Sequence, residues 1–195
     1  MTAPEELPRV WVGLGNPGNR YRGTRHNVGM AAVDFFLERF AGAPFEKTRH
    51  ALVADLTFHG REVMILKPTT YMNLSGRAVR WALEKTGLGP ESMIVFHDDL
   101  DLDLGRIKLK WKGGDAGHKG IRSIMETLRT DAFFRVRIGI GRPPEGWEAS
   151  DYVLSRFDGE EEEVIAGTVA RVAEGLEIWA TKGTTSALNF LNRRD

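Results

Sequence analysis

The chain contains no cysteine in 195 residues, which removes disulfides, thiolate metal sites and a thiol nucleophile at once. Nor is there an apolar run approaching the roughly 18 residues that mark a membrane-spanning helix. The first residues, Met1-Thr2-Ala3-Pro4-Glu5-Glu6, lack the basic and apolar regions of a secretory signal, so a cytoplasmic protein is expected. Net charge is missing too. Lys plus Arg and Asp plus Glu both number 27, so bulk charge gives no support to a nucleic-acid partner. No repeat, low-complexity segment or linker divides the chain. With 42% hydrophobic and 28% charged residues, its length predicts one globular domain over residues 1–195, large enough to bury a real core.

Hydrophobic periodicity supplies the order of elements. It predicts a strand over 8–14, a helix over 25–40, strands over 51–58 and 61–67, a helix over 74–86 and a strand over 92–97. A short strand near 106–110, a helix over 118–129, a strand over 133–140 and a long helix over 160–180 follow. His59-Gly60 between the two middle strands reads as a hairpin turn. Strands alternating with helices argue for a layered α/β domain around a mixed sheet.

Two strand ends carry chemistry. The loop from Asn16 to Asn27 leaves the apolar run Val10-Trp11-Val12-Gly13-Leu14 and enters a helix. Thr24 as its N-cap places His26 in the first turn, where the helix dipole disfavours an imidazolium and leaves a ring able to accept a proton. The second end follows Met93-Ile94-Val95-Phe96, which reads as a buried central strand and delivers Asp98 to the sheet edge where open α/β sheets bind ligands. Taken singly, such a histidine is an ordinary cap and such a carboxylate an ordinary turn residue. Together they have the composition of a hydrolase's base and its orienting acid. A third strand end, Lys67 to Gly76, places Asn73 as a helix cap or as an amide for substrate and oxyanion.

Charge distribution says more than charge total. Between Gly105 and Arg122, six cations (Arg106, Lys108, Lys110, Lys112, Lys119, Arg122) face only Asp115, an excess of five. Arg20, Arg22, Arg25, Arg135, Arg137 and Arg142 add to it, while Asp158 and Glu160 to Glu163 collect where a C-terminal helix begins. Such polarity can steer a phosphate backbone onto one face, although a solvated charged surface looks the same in sequence.

Two motif matches compete with this reading. Gly13-Leu14-Gly15-Asn16-Pro17-Gly18 has the dinucleotide fingerprint's form, yet a loop follows it, and the acid expected about 20 residues on, Asp34, falls inside a helix. A nicotinamide oxidoreductase is therefore disfavoured. Asp99 to Gly105 fails the calcium-loop pattern, because its glycine comes one residue late and Lys110 stands at the closing position. Its Asp/Leu alternation predicts an extended segment with one buried face. A magnesium site on Asp98 and Asp99 stays open.

Six blocks in order resemble bacterial-type peptidyl-tRNA hydrolase over most of the chain. They are Val12 to Gly18, Thr24 to Asn27, Thr69 to Gly76, His97 to Asp101, Gly117-His118-Lys119-Gly120 and Arg137 to Gly141. The resemblance implies an α/β fold in one three-layer domain, with a mixed, mostly parallel central sheet flanked by helices. It implies a monomer that uses no metal or cofactor and cleaves the ester between a peptide and the terminal ribose of tRNA. By position, His26 is the general base and Asp98 orients it. Asn16 and Asn73 hold substrate, with Tyr21, Met72, His118 and Lys119 beside them. Lys110 and Arg137, with Lys108 in the same basic stretch, fall where tRNA phosphate is held. Lys119 departs from the family's usual asparagine, which leaves its role open. A non-catalytic RNA-binding module on the same fold is the alternative.

Overall fold

A computed structural model describes residues 2–194. In chain order the elements are β1 (Val10–Gly13), α1 (Val28–Arg39), β2 (Glu46–Lys47), β3 (Ala51–Phe58), β4 (Arg61–Pro68), α2 (Ser75–Thr86) and β5 (Met93–Asp99). There follow β6 (Ile107–Trp111), α3 (Lys119–Leu128), β7 (Phe134–Gly139), α4 (Ala149–Leu154), α5 (Gly159–Lys182) and α6 (Thr184–Asn192). The strands form one sheet in the order β2-β3-β4-β1-β5-β7-β6. Its four central strands, β4-β1-β5-β7, are parallel, and the outer pairings are antiparallel. This is the expected mixed three-layer α/β arrangement.

Every strand and helix read from periodicity is present within a few residues of its expected bounds. His59 (φ 48) and Gly60 (φ 74) make the β3–β4 turn, the doubly positive φ pair that matches strand twist in a two-residue hairpin. Three elements were not read. β2 has two residues and α4 has six, too few for a period to emerge, and α6 is cut from α5 by Gly183 at φ 81. One expectation needs correction. Residues 100–106 turn instead of running extended, with the Arg106 N–H bonded to the Asp103 carbonyl, though the leucines are half-buried and Asp101 and Asp103 exposed as the alternation implied.

Each sheet face has its own core. On one, α1, α5 and α6 cover Trp11, Ile94, Phe96, Phe134 and Val136. Trp11 is fully buried edge-on against Phe36, Phe58 and Phe96, and its indole N–H reaches the Pro8 carbonyl at 2.7 Å. On the other, α2 and α3 cover Val10, Val12, Met93 and Val95. The edge strand β6 buries Ile107 and Leu109 but exposes Lys108 and Lys110. Across from these in register on β7 stand Arg137 and Arg135.

Candidate active site

The loop that carries His26 is delivered by close backbone packing. A Cβ on Gly29 would lie 2.1 Å from the Phe96 carbonyl oxygen, and one on Gly13 would lie 2.4 Å from the Gly29 oxygen. Only glycines let the start of α1 rest directly on the ends of β1 and β5. That is what the first glycine of the apparent dinucleotide fingerprint does here. Asp34 is an exposed helix residue, as the disfavoured reading required.

His26 sits one step outside α1, in the single tight turn Arg25–Asn27, which corrects its expected place in the helix's first turn. Thr24 does not cap with its side chain. Its hydroxyl donates to the Tyr21 carbonyl at 2.7 Å. What anchors the turn is Arg25, counted in the sequence as a free loop cation but buried at 6% exposure. Its guanidinium pairs with Glu161 at 2.6 Å and lies over the Tyr152 and Phe157 rings. Glu161 belongs to the capping box that begins α5, so part of the acidic cluster holds the turn that carries His26.

The proton positions around Asp98 follow from its partners. His118 caps α3, its Nδ1 accepting the N–H groups of Gly120 at 3.1 Å and Ile121 at 3.3 Å. A neutral ring with Nδ1 accepting carries its proton on Nε2, which therefore donates to Asp98 at 2.9 Å. His26 Nδ1 stands 2.9 Å from both Asp98 oxygens and donates as well. The lone pair of His26 is thereby left on Nε2, which has no protein partner among the described residues. Burial raises Asp98, but the attraction and hydrogen bonds of His118 and His26 outweigh it and hold the carboxyl well below the usual carboxylate range. Behind them lies His97, buried, with Nδ1 donating to the Asp98 carbonyl at 2.7 Å. Burial, with His118 alongside, holds it well below the ordinary imidazole range.

His26, Asp98 and His118 place ligand-type atoms within 4.8 Å of one another. The proton inventory fits a metal poorly, since the facing nitrogens of both rings present N–H groups to the carboxylate instead of lone pairs. Asp99 is likewise taken, by Arg137 and the Asp101 N–H, which leaves little of the open magnesium reading.

These groups floor a cleft of about 640 Å³. Asn16, Met72, Asn73, His118 and Lys119 all line it. The Asn16 oxygen accepts the Met72 N–H at 2.9 Å, so its amide N–H₂ is left without a protein partner among the described residues. Asn73 is not the cap of α2. It is exposed in the turn Met72–Leu74, which Ser75 closes by donating to the Met72 carbonyl at 2.8 Å, and its own amide has no partner among the described residues. His118, read as a substrate contact, has both ring nitrogens bound to protein and acts instead on Asp98. Lys119 is the exposed first residue of α3. Tyr21 does not line the cleft; its ring and hydroxyl engage Arg20.

A family model described as peptidyl-tRNA hydrolase matches residues 10–195. The chain belongs to the peptidyl-tRNA hydrolase family. Peptidyl-tRNA hydrolases of Chloroflexus aggregans and Aquifex aeolicus are each 44% identical to it, covering 93% and 96% of this chain and 97% of their own. The crystal structure of peptidyl-tRNA hydrolase from Acinetobacter baumannii superposes with a TM-score of 0.92 at 30% identity, over 100% of this chain and 99% of that one.

Sequence reasoning about this peptidyl-tRNA hydrolase family member missed several neighbours of the site. Asn27 clamps Asn16 by accepting its N–H and donating to its carbonyl, both at 2.9 Å. The exposed Tyr71 and, from α4, Val153 and Leu154 form apolar cleft walls. Asn27 and Tyr71 had a signal, each lying in one of the family blocks, whereas Val153 and Leu154 had none. The basic excess is also thinner than its count. Arg106 binds the carbonyls of Asn192 and Arg193, Arg122 pairs with Asp115, Arg142 with Asp101, and Arg135 donates to the Gly114 carbonyl at 2.7 Å.

Proposed function

We propose that the chain hydrolyses the ester joining a peptide, or an N-blocked amino acid, to the 3′ ribose of tRNA, with His26 as general base. The observation that carries this is the contact of His26 Nδ1 with both Asp98 oxygens at 2.9 Å on the cleft floor, which leaves Nε2 to take a proton from water. Hydroxide adds to the ester carbonyl, the amides of Asn16 and Asn73 meet the developing oxyanion, and the proton passes from His26 to the leaving ribose oxygen. A positioned base contributes about 10²- to 10⁴-fold and an oxyanion donor about 10²- to 10³-fold, which suffices for an ester without a covalent intermediate. The apolar walls would take peptide side chains, and Lys119 would meet phosphate near the tRNA 3′ end. Nothing favours the non-catalytic alternative, since base, orienting acid and open amides share one cleft. The same reading makes the protein a single catalytic domain over 1–195, working as a cytoplasmic monomer to return tRNA to translation.

The test is release of N-blocked amino acid from its tRNA, with and without a strong chelator. Equal turnover in both is expected. Failure to cleave, or loss of turnover on chelation, would sink the reading.

For tRNA, Lys108, Lys110 and Arg137 offer a row of cations on the exposed β6–β7 face. Lys110→Ala is expected to weaken tRNA binding and to flatten its salt dependence by about one unit of slope, with a larger loss on full tRNA than on a minimal ester lacking the acceptor stem. Equal losses on both substrates would assign Lys110 to the chemistry or the fold.

A further inference from the structure

Asp99 is a carboxylate of the cleft that the hydrolytic steps do not use. It ends β5 directly after Asp98 and is 5% exposed. One of its oxygens accepts the Asp101 N–H at 2.9 Å and the other accepts the Arg137 Nε–H. Arg137 is thus gripped at Nε alone, and among the described residues its two terminal nitrogens have no protein partner. The β6–β7 register sets Lys108 directly across from Arg137, with Lys110 two residues along the same face. Arg135, the other arginine of that row, is committed to the carbonyls of Gly114 and Asp131. Arg137 is therefore the one side chain of the row tied to the cleft floor.

We propose, resting on the reading that this face meets tRNA phosphate, that Asp99 is a positioning residue: it fixes the Arg137 guanidinium so that its outer edge stands ready beside Lys108 and Lys110. An arginine fork pairs with phosphate through parallel N–H bonds, so its orientation matters as much as its charge. Holding one nitrogen in advance removes rotamer freedom that binding would otherwise have to remove. Asp99 also opposes binding, because its negative charge weakens the pull of this face on phosphate. The two effects have opposite signs on substitution. By charge alone, Asp99→Asn makes the face more positive and tightens tRNA; by positioning, it loosens it.

Direct binding of deacylated tRNA to the intact protein reads this without turnover, so the proposal stands or fails separately from hydrolysis. Asp99→Asn is expected to raise the tRNA Kd about 3- to 10-fold, despite its added positive charge. In turnover the loss should fall on KM more than on kcat, and be larger on full tRNA than on the minimal ester. Asp99→Glu, which keeps the carboxylate, should recover part of the affinity. Breaking one end of a buried pair can unfold a site, so thermal melting accompanies each variant and Arg137→Lys is measured in parallel. That variant keeps the charge, loses the fork and should bind tRNA more weakly with native melting. Unchanged or tighter binding by folded Asp99→Asn overturns the proposal, as does an equal loss on both substrates. If Asp99→Asn does not fold, wild-type affinity in Arg137→Lys overturns it.

Discussion

Replacing His26 with alanine is expected to lower kcat on N-blocked aminoacyl-tRNA by on the order of 10³-fold while changing the Kd for tRNA less than about twofold. Neither of the other two imidazoles around Asp98 can substitute for His26: His118 has Nδ1 occupied by the α3 backbone and Nε2 by the carboxylate, and the one open nitrogen of His97, Nε2, is buried. The other nitrogen of His97, Nδ1, is on the Asp98 carbonyl. Affinity should survive because the cations read as meeting phosphate, Lys108, Lys110 and Arg137, stand on β6 and β7 and not on the Arg25–Asn27 turn. The fold should survive too, since Arg25 keeps the turn in place through Glu161. Single-turnover rates and equilibrium binding on the same preparation separate the two quantities. A variant retaining most of the wild-type rate would remove His26 from the mechanism.

Asp98→Asn is expected to cost nearly as much, about 10²- to 10³-fold in kcat, although the substitution is isosteric. The reason lies in His118. Its Nε2–H is dictated by the cap of α3, so an asparagine would turn its one oxygen toward His118 and its N–H₂ toward His26. His26 Nδ1 would then have to accept, its proton would move to Nε2, and the base would face water with a donor. A linked outcome concerns pH. Because His118 and His26 hold Asp98 well below the usual carboxylate range, it is ionised throughout the working range. Its contribution to stability is present above the unfolded carboxylate value of about 4 and is lost only as pH falls through the lower folded value. The acid limb of kcat/KM should accordingly not report this carboxylate. The mechanism is wrong at this point if Asp98→Asn loses less than about tenfold. Double substitution with His118→Ala, which frees the asparagine to rotate, should be less damaging than the sum of the two changes.

Local physics made much of this protein readable. Alternating and helical hydrophobic periods place β1, β3, β4, β5, β7, α1, α2, α3 and α5 because each element must bury one side of itself wherever it lies. His59-Gly60 marks the hairpin because two residues at positive φ are needed there. The strand ends bearing His26 and Asp98 are legible for the same reason: a chemical residue just past an apolar run emerges at the sheet's edge. Family blocks then add the roles that no spacing could supply.

What remained hidden depends on partners distant in the chain. Arg25 meets Glu161 across 136 positions, the Asn16 amide is oriented by Met72 across 56, and His118 meets Asp98 across 20. Sequence by itself determined the order of elements, the residue types at each strand end and the family. Only tertiary structure decided that Arg25 is an anchor and no phosphate contact, that Asn73 is a free amide and no cap, and that His118 directs Asp98. The cause is common to all three. A side chain's role is set by which donors and acceptors lie within about 3 Å of it, and that distance is settled by how elements far apart in the chain pack, not by neighbours in sequence.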